Sequence, residues 1–533
     1  MSQKLLKSAS TVGGMTLISR ITGLVRDIAF AQFLGSGLIA DAFFVAFRIP
    51  NFFRRIFAEG AFSAGFVPVY AEYESKYSEH QARVFLDLMA GRFGIVLLGV
   101  TVLGVTGAPF LVSLIAPGFE DSPDKYQATV DALRFTFPYL FFVSLVAMAG
   151  AILNTRGRFA VPAITPVLLN FCLIGAVFGL LPVMANGAVA LGLGVLAAGF
   201  LQLGFQLPFL RIERRLPRPR VAARGESGQI GSAGVRRVFT LMLPALFGVS
   251  VAQINLLVNT ILASFLVTGS VSWLYYSDRL MEFPLGVFGI ALATVILPVL
   301  STQVAENSTA AYFRTIDWAL GLVVIVTIPA MVALAALAYP LMVVLFQYGA
   351  FSEHDASMAS YSLMAFCPGL IGFVIVKVLA PGFYARKDTR TPVRVAVIAM
   401  LVNALAAAVF TLVFELGHVG LALATSLSGL INALLLYYYF VREIGYRPGM
   451  GDNHGSRGSS WGGFVARVVL ASTVMAVVLL QATGDPQAWT SKTVIDRVLR
   501  LMMWIGLGSC VYFVCLYLLG IRFHDFSRPR DRA

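Results

Sequence analysis

Residues 41–70 read DAFFVAFRIPNFFRRIFAEGAFSAGFVPVY, and residues 271–300 read VSWLYYSDRLMEFPLGVFGIALATVILPVL. Each stretch is long enough to cross a membrane, which takes about 20 mostly apolar residues in a helix. Each also carries arginine, acidic residues and two prolines, which are costly or disruptive in the middle of a bilayer. The same unusual combination in two places indicates a duplicated membrane segment with a role beyond spanning.

The second stretch begins 230 positions after the first, and this offset predicts an internal repeat. Two distant parts of the chain share the offset, because residues 152–162 align in the same way with residues 382–392. The matching pairs are Phe43/Trp273, Phe53/Phe283, Ala61/Ala291, Pro68/Pro298, Val69/Val299, Arg156/Arg386 and Pro162/Pro392. The sequence therefore predicts two halves of similar fold.

The composition of the chain is that of a polytopic membrane protein. Of its 533 residues, 58% are hydrophobic and 13% are charged, whereas soluble domains have about 45–50% and 25%. This excludes a cytosolic enzyme, a disordered chain and a secreted scaffold. The predicted fold class is an all-α bundle of about 14 transmembrane helices around a central cavity. The predicted spans are residues 9–33, 40–69, 86–116, 132–153, 160–183, 188–210, 238–267, 272–301, 316–346, 357–384, 392–414, 419–441, 462–482 and 499–520.

Lysine and arginine are distributed unevenly between the two sides of this predicted bundle. With the N-terminus inside, the inside segments hold 26 of them, and the outside loops hold Lys125, Lys492 and Arg497. Such an excess is the positive-inside pattern, so we expect both termini in the cytoplasm. The net charge of +13 is then spread over many loops. Nucleic-acid binding, which needs a basic patch on one face, is not predicted.

The offset of 230 contains six predicted helices, an even number, so the two halves cross the membrane in the same sense. Parallel repeats of this kind are typical of alternating-access transporters. The predicted organisation is an N-terminal lobe (1–210), a basic linker (211–237), a C-terminal lobe (238–441), a connector (442–461), a final helix pair (462–520) and a tail (521–533).

Six arginines lie deep in the predicted helices. They are Arg20, Arg26, Arg48, Arg54, Arg55 and Arg279. A charge at the bilayer centre costs about 2.5–3.5 kcal/mol, so six facing lipid would cost on the order of 15–20 kcal/mol. These side chains must line water, pair with acids or bind an anion. We interpret them as a cationic cavity for a phosphate- or carboxylate-bearing substrate, because the planar guanidinium suits phosphate.

Acids in the same helices leave an alternative open. Asp27, Asp41, Glu59, Asp278 and Glu282 are available for internal ion pairs that would hold the two lobes together. Six deep arginines against five acids favour the anion-binding interpretation.

Four stretches around these charges are similar to a known family. Residues 19–27 (SRITGLVRD), 41–63, 273–284 (WLYYSDRLMEFP) and 377–384 (KVLAPGFY) closely resemble the MurJ (MviN) family of lipid II flippases. The resemblance covers essentially the whole chain. The family belongs to the multidrug/oligosaccharidyl-lipid/polysaccharide exporter superfamily, whose fold the resemblance implies: two six-helix lobes and, in this family, two further C-terminal helices.

The resemblance implies that the protein moves lipid II from the inner to the outer leaflet of the bacterial cytoplasmic membrane. Lipid II is the undecaprenyl-pyrophosphate-linked disaccharide-pentapeptide precursor of peptidoglycan. The substrate-binding residues that the resemblance implies are Arg20, Arg26, Arg54, Arg279 and Asp41. We expect Ser19, Arg48, Arg55, Glu59, Asp278 and Glu282 to support them. The last two helices, about Trp461–Gly520, would line a groove for the polyprenyl tail.

Other functions stay open at this point. Sister families export drugs or other lipid-linked glycans. The surplus of arginine disfavours a cationic drug as substrate. Another anionic lipid-linked oligosaccharide would suit a cationic cavity equally well. A scaffold would gain nothing from deep charges. No enzyme or metal motif is found, so we expect no catalytic residue, no metal and no cofactor, with the membrane potential or an ion as the energy source. The expected partners are lipid II and membrane lipids, with enzymes of peptidoglycan synthesis as candidate protein partners.

Overall fold

The computed structural model describes residues 3–55, 60–447, 461–484 and 487–521. Over these ranges the chain forms helices and no strands, and each of the fourteen predicted spans is helical. Ten of the described helices are long and apolar enough to cross a membrane. The chain is thus an all-α, multi-pass membrane protein, and the predicted fold class is confirmed.

The first repeat runs from α1 to α9. Its helices are α1 (Gln3–Leu34), α2 (Leu38–Arg54), α3 (Ala61–Lys76), α4 (Glu79–Thr106), α5 (Ala108–Ile115), α6 (Pro123–Thr136), α7 (Tyr139–Thr155), α8 (Ala160–Gly179) and α9 (Gly187–Ile212).

The second repeat runs from α10 to α17 and is followed by a final group. Its helices are α10 (Gly225–Ser264), α11 (Ser270–Pro284), α12 (Ile290–Ala305), α13 (Thr309–Ala336), α14 (Ala338–Phe346), α15 (Glu353–Ala385), α16 (Arg390–Ala408) and α17 (Gly417–Ile444). The final group is α18 (Trp461–Thr483), α19 (Gln487–Thr490) and α20 (Val494–Leu518).

The helix boundaries confirm the internal repeat. Helices α4, α5, α6, α8 and α9 begin 230 residues before α13, α14, α15, α16 and α17 respectively. The ends of α1 and α10 differ by the same offset, as do the ends of α7 and α15. The few residue pairs that match in the sequence therefore reflect a duplication that extends over the seventeen helices α1 to α17.

Both of the quoted stretches break at the same place. In the first repeat α2 ends at Arg54 and α3 begins at Ala61, with π-helical backbone at Arg55 and Gly60 beside the undescribed residues 56–59. In the second repeat a π-helical turn, Leu285–Gly289, joins α11 to α12. A π-helical turn disturbs the regular hydrogen-bond ladder and is a common site of bending in membrane helices.

The chain divides into two compact units, Met1–Val271 and Ser272–Ala533. Helix α10 belongs to the first unit, although it is the first helix of the second repeat. It packs closely on α3: a Cβ atom at Gly65 would lie 2.8 Å from the carbonyl oxygen of Val238 in α10. The lobe boundaries drawn from the repeat, at residues 210 and 238, stay a prediction.

Part of the predicted basic linker lies against α4. The non-helical part of the linker is residues 213–224, between the end of α9 and the start of α10. The backbone N–H groups of Arg218 and Arg220 donate to the carboxylate (2.7 Å) and the carbonyl (2.9 Å) of Asp87. Gly91 permits this approach, because a Cβ atom there would lie 2.1 Å from the Arg220 carbonyl oxygen.

Candidate functional site

A polar cavity of about 680 Å³ lies in the first unit, among α2, α3, α7, α8 and α9. Its described polar lining residues are Asn51, Arg54, Ser63, Tyr139, Asn154, Thr155, Thr165, Gln202 and Gln206. Among the described lining residues Arg54 alone carries a charge. The cavity thus offers one guanidinium and many neutral hydrogen-bonding groups within an otherwise apolar bundle.

The position of Arg54 follows from the local structure of α2. Pro50 has no N–H group and cannot bond to the carbonyl of Ala46, one helical turn earlier. The Thr136 hydroxyl of α6 donates to that freed carbonyl oxygen at 3.2 Å. One turn beyond the proline, Arg54 Nε donates to Asn51 Oδ1 at 3.1 Å. The Asn51 amide in turn donates to the carbonyl of Phe47, so the arginine is held along its own helix.

A chain of hydrogen bonds crosses the opposite wall of the cavity. The Tyr139 hydroxyl donates to Gln202 Oε1 at 3.1 Å, and Gln202 Nε2 donates to the Thr165 carbonyl at 3.1 Å. One turn further along α9, Gln206 Nε2 donates to Thr165 Oγ1 at 2.9 Å. These residues were not predicted from the sequence. The available signal was the spacing of Gln202 and Gln206, four apart on one face of an apolar helix.

Arg26 is buried in α1 and is already engaged by its neighbours. Its guanidinium donates to Asp27 Oδ1 at 2.7 and 3.0 Å and to Asn170 Oδ1 of α8 at 3.0 Å. The Asn170 amide donates to the Ser19 carbonyl at 3.2 Å and to Thr22 Oγ1 at 2.9 Å. These bonds join α1 to α8. The neighbouring Arg20 is half-buried in α1. Neither arginine lies among the described residues that line the cavity.

Asp41 is fully buried at the start of α2, where it pairs with a lysine. Lys125 Nζ lies 2.8 Å from Asp41 Oδ2, and the backbone N–H of Gly269 donates to the same oxygen at 2.8 Å. The placement of Lys125 in a loop was wrong, because α6 begins at Pro123 and buries this side chain, while its position on the outer side stays a prediction. The lysine also lies 4.2 Å above the ring of Phe119. The predicted role of Asp41 in substrate binding stays a prediction.

The two remaining deep arginines, Arg48 of α2 and Arg55 directly after it, bond to neutral side chains of α10. Arg48 Nη1 donates to Thr260 Oγ1 at 2.8 Å. Arg55 Nη1 donates to Gln253 Oε1 at 3.3 Å. Both contacts lie within the first unit and attach α2 to α10.

In the second unit, Arg279 lies half-exposed on α11. Its Nη1 is 3.1 Å from Glu282 Oε2, and its guanidinium lies 4.9 Å above the ring of Tyr275. Asp278 is half-buried beside it. Glu59 lies outside the described residues. The structure groups Arg54 with the polar cavity and Arg26 with α8; that Arg279 joins them in one substrate site stays a prediction.

The second unit contains an apolar groove of about 710 Å³ bounded by α13, α18 and α20. Its lining includes Leu322, Ile325, Pro329, Met475, Phe513 and Leu516. The Tyr512 hydroxyl donates to the Ile325 carbonyl at 2.7 Å and fixes α20 to α13. The groove lies on the helix pair for which the family resemblance implies a lipid-tail site.

Two sequence relatives and two solved structures resemble this chain over most of its length. A probable lipid II flippase MurJ from Vibrio cholerae is 45% identical over 99% of both chains. The lipid II flippase MurJ of Burkholderia cenocepacia is 36% identical over 98% of this chain and 99% of its own. A lipid II flippase MurJ solved in an inward closed conformation has a TM-score of 0.78 at 27% identity, covering 97% of this chain and 99% of that one. A multidrug resistance MATE transporter in an inward-facing conformation has a TM-score of 0.66 at 14% identity, covering 84% of this chain and 100% of its own.

The MATE likeness concerns the fold alone. The family model described as lipid II flippase MurJ matches residues 30–499. Together with full-length relatives at up to 45% identity, this match shows that the chain belongs to the MurJ family of lipid II flippases.

Proposed function

We propose that this protein moves lipid II from the inner to the outer leaflet of the bacterial cytoplasmic membrane for peptidoglycan synthesis. Family membership over the whole chain supports this activity. The structural observation that carries it is the polar cavity, in which Arg54 is the single charge among the described lining residues. A wall with a cation and no described acid suits a substrate that bears phosphate.

The pyrophosphate of lipid II is the group that the arginine recognises. A guanidinium donates paired hydrogen bonds to phosphate oxygens, and such bonds are about twice as strong as neutral ones. In apolar surroundings the attraction is stronger than in water. In this proposal Arg20, Arg26 and Arg279 join Arg54 as the cavity opens first to one side of the membrane and then to the other, and Asp41 and the flanking charges support them.

The polyprenyl tail needs an apolar path while the head group crosses. The groove between α13, α18 and α20 offers such a path, because its described lining is almost entirely hydrophobic. In the proposed cycle the tail stays in this groove and in the surrounding lipid, so only the polar head enters the cavity.

The activity is transport without covalent chemistry, cofactor or metal. A membrane potential that is negative inside favours outward movement of an anion by about 2.3 kcal/mol per charge per 100 mV. With both termini in the cytoplasm, the protein would receive lipid II from membrane-bound enzymes that make it and deliver it to enzymes that polymerise it outside.

The test is lipid II flipping by the purified protein in proteoliposomes. We expect Arg54→Ala to slow flipping by about tenfold to a hundredfold, because a hydrogen bond to a charged group contributes about 1.5–3 kcal/mol. The matched control is Arg83→Ala, which removes an arginine from an exposed ion pair with Glu79 on α4 and should leave the rate near that of the wild type.

Normal flipping by a folded Arg54→Ala variant would overturn the phosphate-binding role of the cavity. A second substrate distinguishes the remaining alternative. If a different undecaprenyl-pyrophosphate-linked oligosaccharide crosses as fast as lipid II, the protein exports anionic lipid-linked glycans in general.

A further inference from the structure

We propose that the polar cavity binds the uncharged part of the substrate head group, with the carbonyl oxygen of the Gln206 side chain as a hydrogen-bond acceptor. The chemical class is a sugar hydroxyl, an acetamido N–H or a peptide N–H. This inference rests on the proposed function and specifies which part of lipid II the cavity holds.

The side-chain oxygen of Gln206 points to a ligand. Its side chain is 1% exposed, and its Nε2 is used by Thr165. Its Oε1 has no hydrogen-bond partner among the described residues. A buried polar atom without a partner costs about 1–3 kcal/mol, so an acceptor in this state is stabilised by any donor that enters the cavity.

The cavity wall in front of this oxygen carries no side chain. Gly150 of α7 lies across from it, and a Cβ atom at this glycine would be in van der Waals contact with Gln206 Oε1, at 4.0 Å. Both residues line the cavity. The missing side chain at Gly150 makes the cavity side the direction from which a donor group would reach the oxygen.

The internal repeat shows that the fold itself does not need these polar groups. Position 206 corresponds to Leu436 and position 165 to Val395 at the offset of 230. Leu436 is 1% exposed and Val395 is fully buried. The second repeat thus packs apolar side chains where the first places Gln206 and Thr165, and the polar pair belongs to the cavity rather than to helix packing.

The remaining lining fits a neutral polar ligand beside a phosphate. Asn51, Asn154 and Gln202 supply further amide groups, and Arg54 supplies the one described charge. The volume of about 680 Å³ falls in the range of about 300–1,000 Å³ that is typical of small-molecule sites. Sugar hydroxyls and amides match this mixture of donors and acceptors, whereas a cationic group finds no described acid on the wall.

The experiment compares two lipids binding to the full-length protein in nanodiscs: lipid II and undecaprenyl pyrophosphate, which lacks the head group. In Gln206→Leu, which installs the residue of the second repeat, affinity for lipid II should fall about threefold to tenfold, the effect of one hydrogen bond. Affinity for undecaprenyl pyrophosphate should not change. Arg54→Ala should weaken both lipids. Gln206→Met, which keeps an unbranched side chain, replaces the leucine variant if that variant does not fold.

An unchanged affinity ratio between the two lipids in both Gln206 variants would overturn the proposal, since water alone would then satisfy the oxygen. A wild-type protein that binds both lipids equally would also overturn it, while leaving lipid II transport intact. A wild-type protein that neither binds nor flips lipid II would instead refute the proposed function.

Discussion

In the first repeat the break in the second span follows Arg54, and in the second repeat the equivalent break follows Pro284, 230 residues later. The backbone is repeated, but the charges are not: Arg48 corresponds to Asp278 at the same offset. A helix break that persists under different side chains belongs to the fold. The arginines of α2 have no counterpart in α11, so we attribute them to the function of the first repeat and not to the fold.

A second comparison concerns the start of the fourth span in each repeat. Lys125 of α6 and Asp355 of α15 are equivalent by the offset, and both are buried. Lys125 pairs with Asp41 of α2, whereas Asp355 accepts a hydrogen bond from Trp273 Nε1 of α11 at 2.9 Å. Each repeat thus attaches this helix near the start of its broken span, by an ion pair in the first repeat and by a neutral donor in the second.

The largest expected effect comes from breaking the ion pair. Lys125→Met leaves the Asp41 carboxylate buried without its cation, which costs about 3–5 kcal/mol in comparable buried pairs. Asp355→Asn keeps an acceptor for Trp273 but loses Oδ2, which accepts from the Ser352 N–H and hydroxyl; it should cost about 1–2 kcal/mol, because no charge is left unpaired. Unfolding of the purified variants in a titration with a denaturing detergent measures both losses.

A double variant controls for the charge itself. Asp41→Asn combined with Lys125→Met removes both charges and should recover much of the stability lost in Lys125→Met. If Lys125→Met and Asp355→Asn lower the free energy of unfolding by the same amount, the ion pair does not make the attachment in the first repeat different from that in the second.

The next effect concerns the packing of α3 and its counterpart α12. Gly65 lies against the α10 backbone, where a Cβ atom would sit 2.8 Å from the Val238 carbonyl oxygen. The equivalent residue, Val295, is 59% exposed. Gly65→Val should therefore destabilise the protein by about 1–3 kcal/mol through overpacking, whereas Val295→Ala should change stability by about 0.5 kcal/mol or less. Equal melting temperatures of the two variants in detergent would show that α10 can shift to make room for the added side chain.

The spans and the repeat were predictable because both are local or periodic properties of the sequence. Long apolar segments mark helices whatever they pack against. Even the charged second span was predicted, as one helix over residues 40–69, whereas its break after Arg54 was not. The charge pattern, however, fixes only the side on which a loop is expected. It placed Lys125 in a solvated loop, because a count along the chain treats each cation between predicted spans as solvated, whereas the structure buries it in α6.

The polar cavity was not predictable from charge, since most of its wall is neutral. Gln206 and Thr165 come from different helices, and only the folded structure brings them within 2.9 Å. The repeat held a usable signal: Gln206 corresponds to Leu436 and Thr165 to Val395. Positions that are polar in one repeat and apolar in the other mark where the two halves have diverged in function.

The smallest expected effect lies at the turn after α7 and α15. Both helices end in the same way, and the second residue after each helix is left-handed, Gly157 with φ +75° and Lys387 with φ +64°. Glycine adopts this conformation freely, whereas a side chain costs about 1 kcal/mol there. Gly157→Lys should therefore lower stability by about 1 kcal/mol. Lys387→Gly should raise it by about half as much, because the added glycine also loosens the unfolded chain. Shifts of the same sign in the detergent titration would mean that contacts of the lysine side chain, and not the backbone, set the stability of this turn.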